Sequence, residues 1–276
     1  MRTALLTLGA ALTSALAVTP LGALVAPPLA AQATESTADN FDWDGPVASG
    51  RWLNVRNLNG SIDVRASTDG KVHVHGEKKW RHGDPKSVRY AVRTDNGDVT
   101  VCALWDPDER CGERNGHQGH HWDHDDDNDV SVKFTVQLPA GVKVDAGTVN
   151  GSVTVRDTKS EAQVATVNGE VDVSTTTGPV EAETVNGSVR VHMDKVPGDG
   201  DMKFSTVNGG VVVEIPQSLD ADVALQTTNG RIVTDFPLTI KGRFDPRELR
   251  ATLGKGGRRL ELETVNGDVE LRTAGK

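Results

Sequence analysis

Apolar and polar residues alternate with a period of two through most of the chain, and the alternation is interrupted at intervals by Asn-Gly. Before the interruption the apolar positions read Val144-Ala146-Thr148, Ala162-Val164-Thr166, Val180-Ala182-Thr184, Met202-Phe204-Thr206, Val223-Leu225-Thr227 and Leu260-Leu262-Thr264. After it they read Val153-Val155, Val171-Val173, Val189-Val191, Val211-Val213, Ile232-Thr234 and Val269-Leu271. Period-two alternation predicts strands with one buried face, and the β-branched residues suit a half-buried pleated surface. Earlier units are centred on Asn59-Gly60, flanked by Leu53, Val55, Ile62 and Val64, and on Asn96-Gly97, flanked by Val88, Tyr90, Val92, Val99 and Val101.

The interruptions repeat one tetrapeptide. Thr-Val-Asn-Gly stands at Thr148–Gly151, Thr166–Gly169, Thr184–Gly187, Thr206–Gly209 and Thr264–Gly267, with degenerate copies ending at Asn59-Gly60, Asn96-Gly97 and Asn229-Gly230. The turn pairs are therefore Asn150-Gly151, Asn168-Gly169, Asn186-Gly187, Asn208-Gly209 and Asn266-Gly267, plus those three. From Asn150 to Asn229 the asparagines are spaced 18, 18, 22 and 21 residues apart. A period near 20 means stacked units, each too small to bury its own face.

Two all-β architectures fit. Each Asn-Gly can be a tight hairpin turn in an antiparallel β-meander, which that dipeptide favours. Alternatively each repeat is one coil of a β-solenoid, like residues stack on like about 4.8 Å apart, and the asparagine amides form a ladder. A hairpin needs Asn-Gly but has no use for the same Thr-Val before it, so the series favours the solenoid. In either case Gly is expected to supply a positive φ at the turn.

The division expected is a signal peptide over 1–33, a flexible lead-in over 34–50, and a β-repeat domain over 51–276 with insertions at 103–129 and 236–258. The signal rests on Arg2, an apolar run from Ala4 to Val18, and Ala31-Gln32-Ala33 as a small-x-small cleavage site. The apolar run is too short to span a bilayer comfortably, and no later segment is apolar enough. In the second insertion Asp245-Pro246-Arg247-Glu248 has the order of an N-cap and capping box, predicting a short helix from Pro246 to Leu253 stopped at Gly254.

The Thr-Val-Asn-Gly series, the Leu138-Pro139-Ala140-Gly141-Val142 approach to it and the closing stretch from Gly254 to Gly267 resemble a bacterial putative-adhesin family built from β-strand repeats. The resemblance spans about residues 51–276. It implies an exported solenoid-like domain in a surface or envelope setting, otherwise of unknown function, and brings no catalytic residues.

Composition narrows the picture. Aromatics are 4% of residues, so Val must fill the core, which suits narrow regular layers. The net charge of −9 argues against a nucleic-acid partner. Cys102 and Cys111 are the only cysteines; in an exported chain an even pair suggests a disulfide, with free thiols or metal ligands as alternatives. The segment 103–129 carries nine acids against Arg110 and Arg114. Its His117, His120, His121, His124, Asp123 and Asp125 are candidate metal ligands, but their spacing matches no defined motif. A solvated loop with at most adventitious divalent metal is the plainer reading, and no cofactor is expected. His73 and His75 lie two apart on one strand face and could chelate, though solvent-facing polar positions explain them too. The tryptophans Trp43, Trp52, Trp80, Trp105 and Trp122 fit end-capping of the stack better than sugar stacking.

The sequence thus points to a non-enzymatic, exported protein, periplasmic, secreted or at the cell surface, presenting a solenoid surface to an unknown protein or glycan. A metal-binding envelope protein acting through the His/Asp-rich insert is the first alternative. A polysaccharide-active solenoid enzyme is the second.

Overall fold

A computed structural model describes residues 33–112, 128–175, 177–240 and 245–275. The strands, in chain order, begin with β1 (Ala33–Ser36), β2 (Asn40–Gly45), β3 (Trp52–Arg56), β4 (Ile62–Ala66), β5 (Val72–Lys79), β6 (Arg89–Asp95), β7 (Asp98–Leu104) and β8 (Ser131–Leu138). The regular array follows: β9 (Lys143–Gly147), β10 (Val153–Thr158), β11 (Ala162–Ala165), β12 (Val171–Thr175), β13 (Val180–Glu183), β14 (Val189–Met193), β15 (Met202–Asn208) and β16 (Val211–Ile215). The chain closes with β17 (Ala221–Asn229), β18 (Ile232–Thr234), β19 (Thr239–Ile240), β20 (Glu248–Leu253), β21 (Arg259–Asn266) and β22 (Val269–Thr273).

The strands form two long sheets. The first runs β1-β6-β7-β3-β9-β11-β13-β15-β21-β17-β20-β19, the second β18-β22-β16-β14-β12-β10-β4-β8-β5-β2. Each coil gives one strand to each sheet and turns between them at an Asn-Gly corner. Successive coils pair parallel and in register, as in Val153↔Val171, Val171↔Val189, Val189↔Val211 and Val211↔Val269. This is the β-solenoid arrangement, and the inward columns of both sheets interdigitate as a thin core. Val144, Val153, Val155, Val171, Val173, Val189 and Val211 are fully buried. Each such Val contributes about 1.5–3 kcal/mol.

The stacking order is not the chain order. The coil β3–β4 lies between β7/β8 and β9/β10, and the last coil, β21–β22, lies between β15/β16 and β17/β18. Both the first and the last coil are therefore flanked on each side by pairing partners. Three of the four sheet ends finish in antiparallel strands, β6 and β1, β5 and β2, β20 and β19, while the fourth is the short parallel edge strand β18. Repeat arrays need such atypical ends because an open parallel edge invites further pairing.

Three expectations are corrected. The stretch 34–50 is not a free lead-in: β1 pairs with β6 and β2 with β5. Phe41 on β2 is buried and stacks on Tyr90 at 4.8 Å, which in turn meets Phe134 edge-on at 6.0 Å. The alternation Phe41-Trp43-Gly45 is real but too short to stand out. The helix expected over Pro246–Leu253 is strand β20, antiparallel to β17. Asp245 does accept from the Arg247 amide at 2.9 Å, but its carbonyl then takes the Glu248 amide and the chain reverses as a turn. The open edge of β17 wins over the local capping signal, and Ala251 and Leu253 turn inward. Finally, Asn96-Gly97 is not a corner. It joins β6 to β7 as a two-residue antiparallel hairpin with φ +50 and +86, values that suit Asn and Gly there.

Lys78 ties the N-terminal end together. It occupies an inward position of β5, 4% exposed, and its Nζ donates to the carbonyls of Thr37, Pro85 and Val88 at 2.9, 2.7 and 2.6 Å. Burial lowers its pKa from the usual lysine value, with nearby Asp39 and Asp84 opposing.

A candidate binding surface along the Asn-Gly corners

Each residue of the repeat has its own job at the corner. The threonine points inward and its hydroxyl donates to the carbonyl of the glycine one coil away. Thr148 meets Gly60 at 3.0 Å, Thr166 meets Gly151 at 2.8 Å, Thr184 meets Gly169 at 3.0 Å and Thr206 meets Gly187 at 2.8 Å. Thr264 and Thr227 repeat the bond to Gly209 and Gly267, both at 2.8 Å. In the first coil Asn57 replaces the threonine and donates to Val132 and Gly60 carbonyls at 2.8 and 3.0 Å.

The asparagines form one continuous ladder. Nδ2 donates to Oδ1 of the next rung through Asn150→Asn59, Asn168→Asn150, Asn186→Asn168, Asn208→Asn186 and Asn266→Asn208, each at 2.8 Å, and Asn229→Asn266 at 2.9 Å. All six bonds point the same way along the axis, so the amide dipoles align. Asn96 takes no part in the ladder.

The glycines meet the need for a positive φ that the sequence suggested, as at Gly60, Gly151, Gly187, Gly209 and Gly267, and a second need besides. A Cβ on Gly187 would lie 1.9 Å from the Gly169 carbonyl oxygen, and on Gly209 2.0 Å from that of Gly187. The same overlap, 1.8 to 2.2 Å, holds at Gly60, Gly151, Gly169, Gly230 and Gly267 against the neighbouring coil. Close approach of backbone to backbone adds a second requirement for glycine at these corners.

The valine is the residue that the core does not use. Val167, Val185, Val207 and Val265 are 37–39% exposed, and Val149 and Leu58 extend the same column half-buried. Trp80 and Val233 are the other large apolar side chains exposed among the described residues. An uncharged ridge of stacked isopropyl and carboxamide groups thus runs along one edge of the solenoid.

The flat faces on either side carry charge in cross-strand pairs. Arg56 holds Asp145 at 2.5 and 2.9 Å, Lys143 reaches Glu161 at 2.7 Å, and Lys133 reaches Asp63 at 3.1 Å. Glu183 accepts Ser205 and sits 3.4 Å from Lys203, whose pKa is raised chiefly by Glu183. Of the outward acids, Asp145 and Glu183 are thus held by partners, while Lys203 stands in register with Glu261. Among the described residues no three metal-ligating groups converge on one point as the side chains stand.

The remaining sequence candidates are placed as follows. Cys102 and Cys111 are bonded, with Cα atoms 5.6 Å apart. The turn between them closes with Asp106 accepting from the Asp108 and Glu109 amides. His117, His120, His121, His124, Asp123 and Asp125, with Trp122, lie outside the described residues. Asp129, at the far end of that segment, accepts from the amides of Gly83, Arg81 and His82, which holds its pKa down at about 2. Trp43 and Trp105 pack against the core, while Trp52 stands mid-face under Lys143 Nζ at 5.1 Å and caps nothing. His73 lies between Asp44 and Asp69, and His75 against Asp42.

A family sequence profile described as Toastrack DUF4097 matches residues 124–272, more than half of the chain. The chain belongs to the Toastrack DUF4097 family. The matched part of this Toastrack chain holds every rung of the ladder except Asn59. Among solved structures it is similar to a putative cell adhesion protein from Clostridium sporogenes ATCC 15579, at 8% identity and TM-score 0.46, over 88% of this chain and 99% of that one. It is also similar to a putative adhesin from Bacteroides fragilis NCTC 9343, at 10% identity and TM-score 0.29, over 85% and 96% of the two chains. No curated protein matches it.

Sequence reasoning missed the order of the Toastrack coils, although a signal was present. The perfect tetrapeptides occupy interior rungs. The degenerate copies at Asn57–Gly60 and Thr227–Gly230 are the two ends of the ladder. Atypical terminal repeats are what a repeat array requires, so degeneracy marked the ends of the asparagine ladder rather than of the chain.

Proposed function

We propose that this protein is a non-enzymatic, exported binding protein that presents the corner ridge to a protein or glycan of the bacterial envelope. The exposed valine column carries this reading. Four of the few large apolar side chains left in solvent fall in one line, and contiguous exposed apolar surface marks interaction sites. Membership of a Toastrack family, the Cys102–Cys111 disulfide and the secretory pattern of residues 1–33 support an extracytoplasmic setting. No described helix is long and apolar enough to cross a membrane.

The test compares wild-type protein with a Val167→Ser, Val185→Ser, Val207→Ser variant, against a glycan array and a panel of bacterial envelope preparations. The wild type is expected to be retained by at least one class of target and the variant to lose about tenfold or more in affinity. Both should melt within a few degrees of each other, because the substituted side chains are more than a third exposed. Unchanged retention of the variant, or no retention of the wild type anywhere in the panel, overturns the proposal.

A further inference from the structure

The outer face of the second sheet carries a constellation that the binding ridge does not use. His73 and His75 alternate with buried Val72 and Val74 on β5, so both rings stand on one face. The edge strand β2 runs antiparallel beside them, with Asp44 opposite His73 and Asp42 opposite His75. Each aspartate takes the near ring nitrogen: His73 Nδ1 meets Asp44 at 2.5 Å, and His75 Nδ1 meets Asp42 at 2.6 Å. A carboxylate at Nδ1 leaves Nε2 as the ring atom that can face a metal ion, the arrangement by which carboxylates orient metal-binding imidazoles.

A third carboxylate waits at Nε2. Asp69 lies in the turn between β4 and β5, where its Oδ1 accepts from Ser67 Oγ at 2.9 Å and the Lys71 amide at 3.1 Å. That turn sets both its oxygens 2.9 and 3.0 Å from His73 Nε2. Across the strand on the other side, His75 and His73 face Thr135 and Gln137 of β8, both neutral, and the nearby Lys133 is engaged by Asp63. No cation is directed at the two rings from either neighbouring strand.

We propose that His73, His75 and Asp69 form a binding site for a divalent transition-metal ion, with Asp44 orienting the His73 ring. Two imidazoles and a carboxylate select Zn, Cu(II) or Ni over Ca or Mg. Ligand atoms about 2.0–2.2 Å from a tetrahedral ion lie about 3.3 Å from each other. The present Nε2–carboxylate separation is a few tenths of an ångström shorter, with a shared proton where the ion would sit. Binding replaces that proton, and the His75 ring, 46% exposed, turns to bring its Nε2 to the same ion. Neither the ridge nor the reading of the protein as an envelope binder enters this argument.

The experiment uses the full chain with His117, His120, His121 and His124 all changed to Ala, so that the acidic insert contributes no imidazole. Titration calorimetry with ZnCl2, NiCl2 and CuCl2 is expected to give one ion per chain. His73→Ala and His75→Ala should each weaken that binding at least about tenfold. Asp44→Asn should weaken it by about tenfold through ring orientation alone, the usual scale for such partners, with the melting temperature in the absence of metal as the control for folding. Neither CaCl2 nor MgCl2 should compete at equal concentration. The site is overturned if the four-alanine background retains no ion, if His73→Ala and His75→Ala leave the affinity unchanged, or if Ca competes as well as Zn.

Discussion

At the residue scale, the corner is where one tetrapeptide satisfies three separate demands. Thr fills an inward slot and closes a buried carbonyl, Asn bonds along the axis, Gly permits contact between backbones, and Val is left outside. These three demands make the motif repeat; they were legible as a pattern, and so was the positive φ of Gly, while its contact with the next coil was not. Asn-Gly alone reads as a positive-φ turn, and at Asn96-Gly97 it is one. At Gly60, Gly151, Gly187, Gly209 and Gly267 a positive φ is joined by close approach to the next coil, which for Gly151, whose neighbour is Gly60, lies far away in the sequence. Gly169→Ala should therefore cost about 3 kcal/mol, because two backbones must separate to admit a methyl whose carbon would lie 2.1 Å from the Gly151 carbonyl oxygen. Gly200→Ala is the comparison: its Cβ would meet only Pro179 at 3.8 and 3.9 Å, and the change should stay within about 0.5 kcal/mol. Urea denaturation measures both. Equal losses would mean that close approach is not what holds glycine at the corners.

At the element scale, alternation identified the strands of the array because each has a buried face and a solvated one. It was weakest where strands are short or belong to the ends. Phe41-Trp43-Gly45 was passed over, and Leu249-Ala251-Leu253 was outweighed by Asp245-Pro246. In both places a strand forms because a neighbouring edge is available, and no local window contains that edge. The strand assignment of β20 makes a sharp prediction. Ala251 is 7% exposed and faces the core, whereas Arg250 beside it is exposed and bonds only Glu248. Ala251→Asp should cost several kcal/mol or force the acid to stay protonated. Arg250→Ala should change stability by no more than about 0.5 kcal/mol. Hydrogen exchange should also protect the amides that β20 gives to β17 in alternation, not in a helical run. Similar losses for the two substitutions would place both residues on the same kind of surface and refute the alternating strand.

At the scale of the whole molecule, the first and the last coil, β3–β4 and β21–β22, are locked inside the stack. The coils β3–β4 and β21–β22 each fill a slot between coils that are already neighbours in space, so most of the outer edges of the array belong to antiparallel end strands. Near-identical repeats make this order invisible to pattern reading: Thr227 and Thr264 could each have taken the rung beside Thr206 with the same hydrogen bond. Cross-linking decides between them. Lys203 pairs in register with Glu261, and Glu261 with Ala224, on the outward face of the first sheet. Adjacent rungs lie about 4.8 Å apart, within the Cα separation a disulfide accepts, while residues two rungs apart lie beyond about 9 Å and are out of reach. Under mild oxidation, with the native Cys102–Cys111 bond in place, Lys203→Cys with Glu261→Cys should form a second disulfide nearly completely. Lys203→Cys with Ala224→Cys should leave two free thiols, read by mass after alkylation. The opposite result would put the coils in the order of the sequence, with β17 directly beside β15, and the final coil would then be an end strand instead of an interior one.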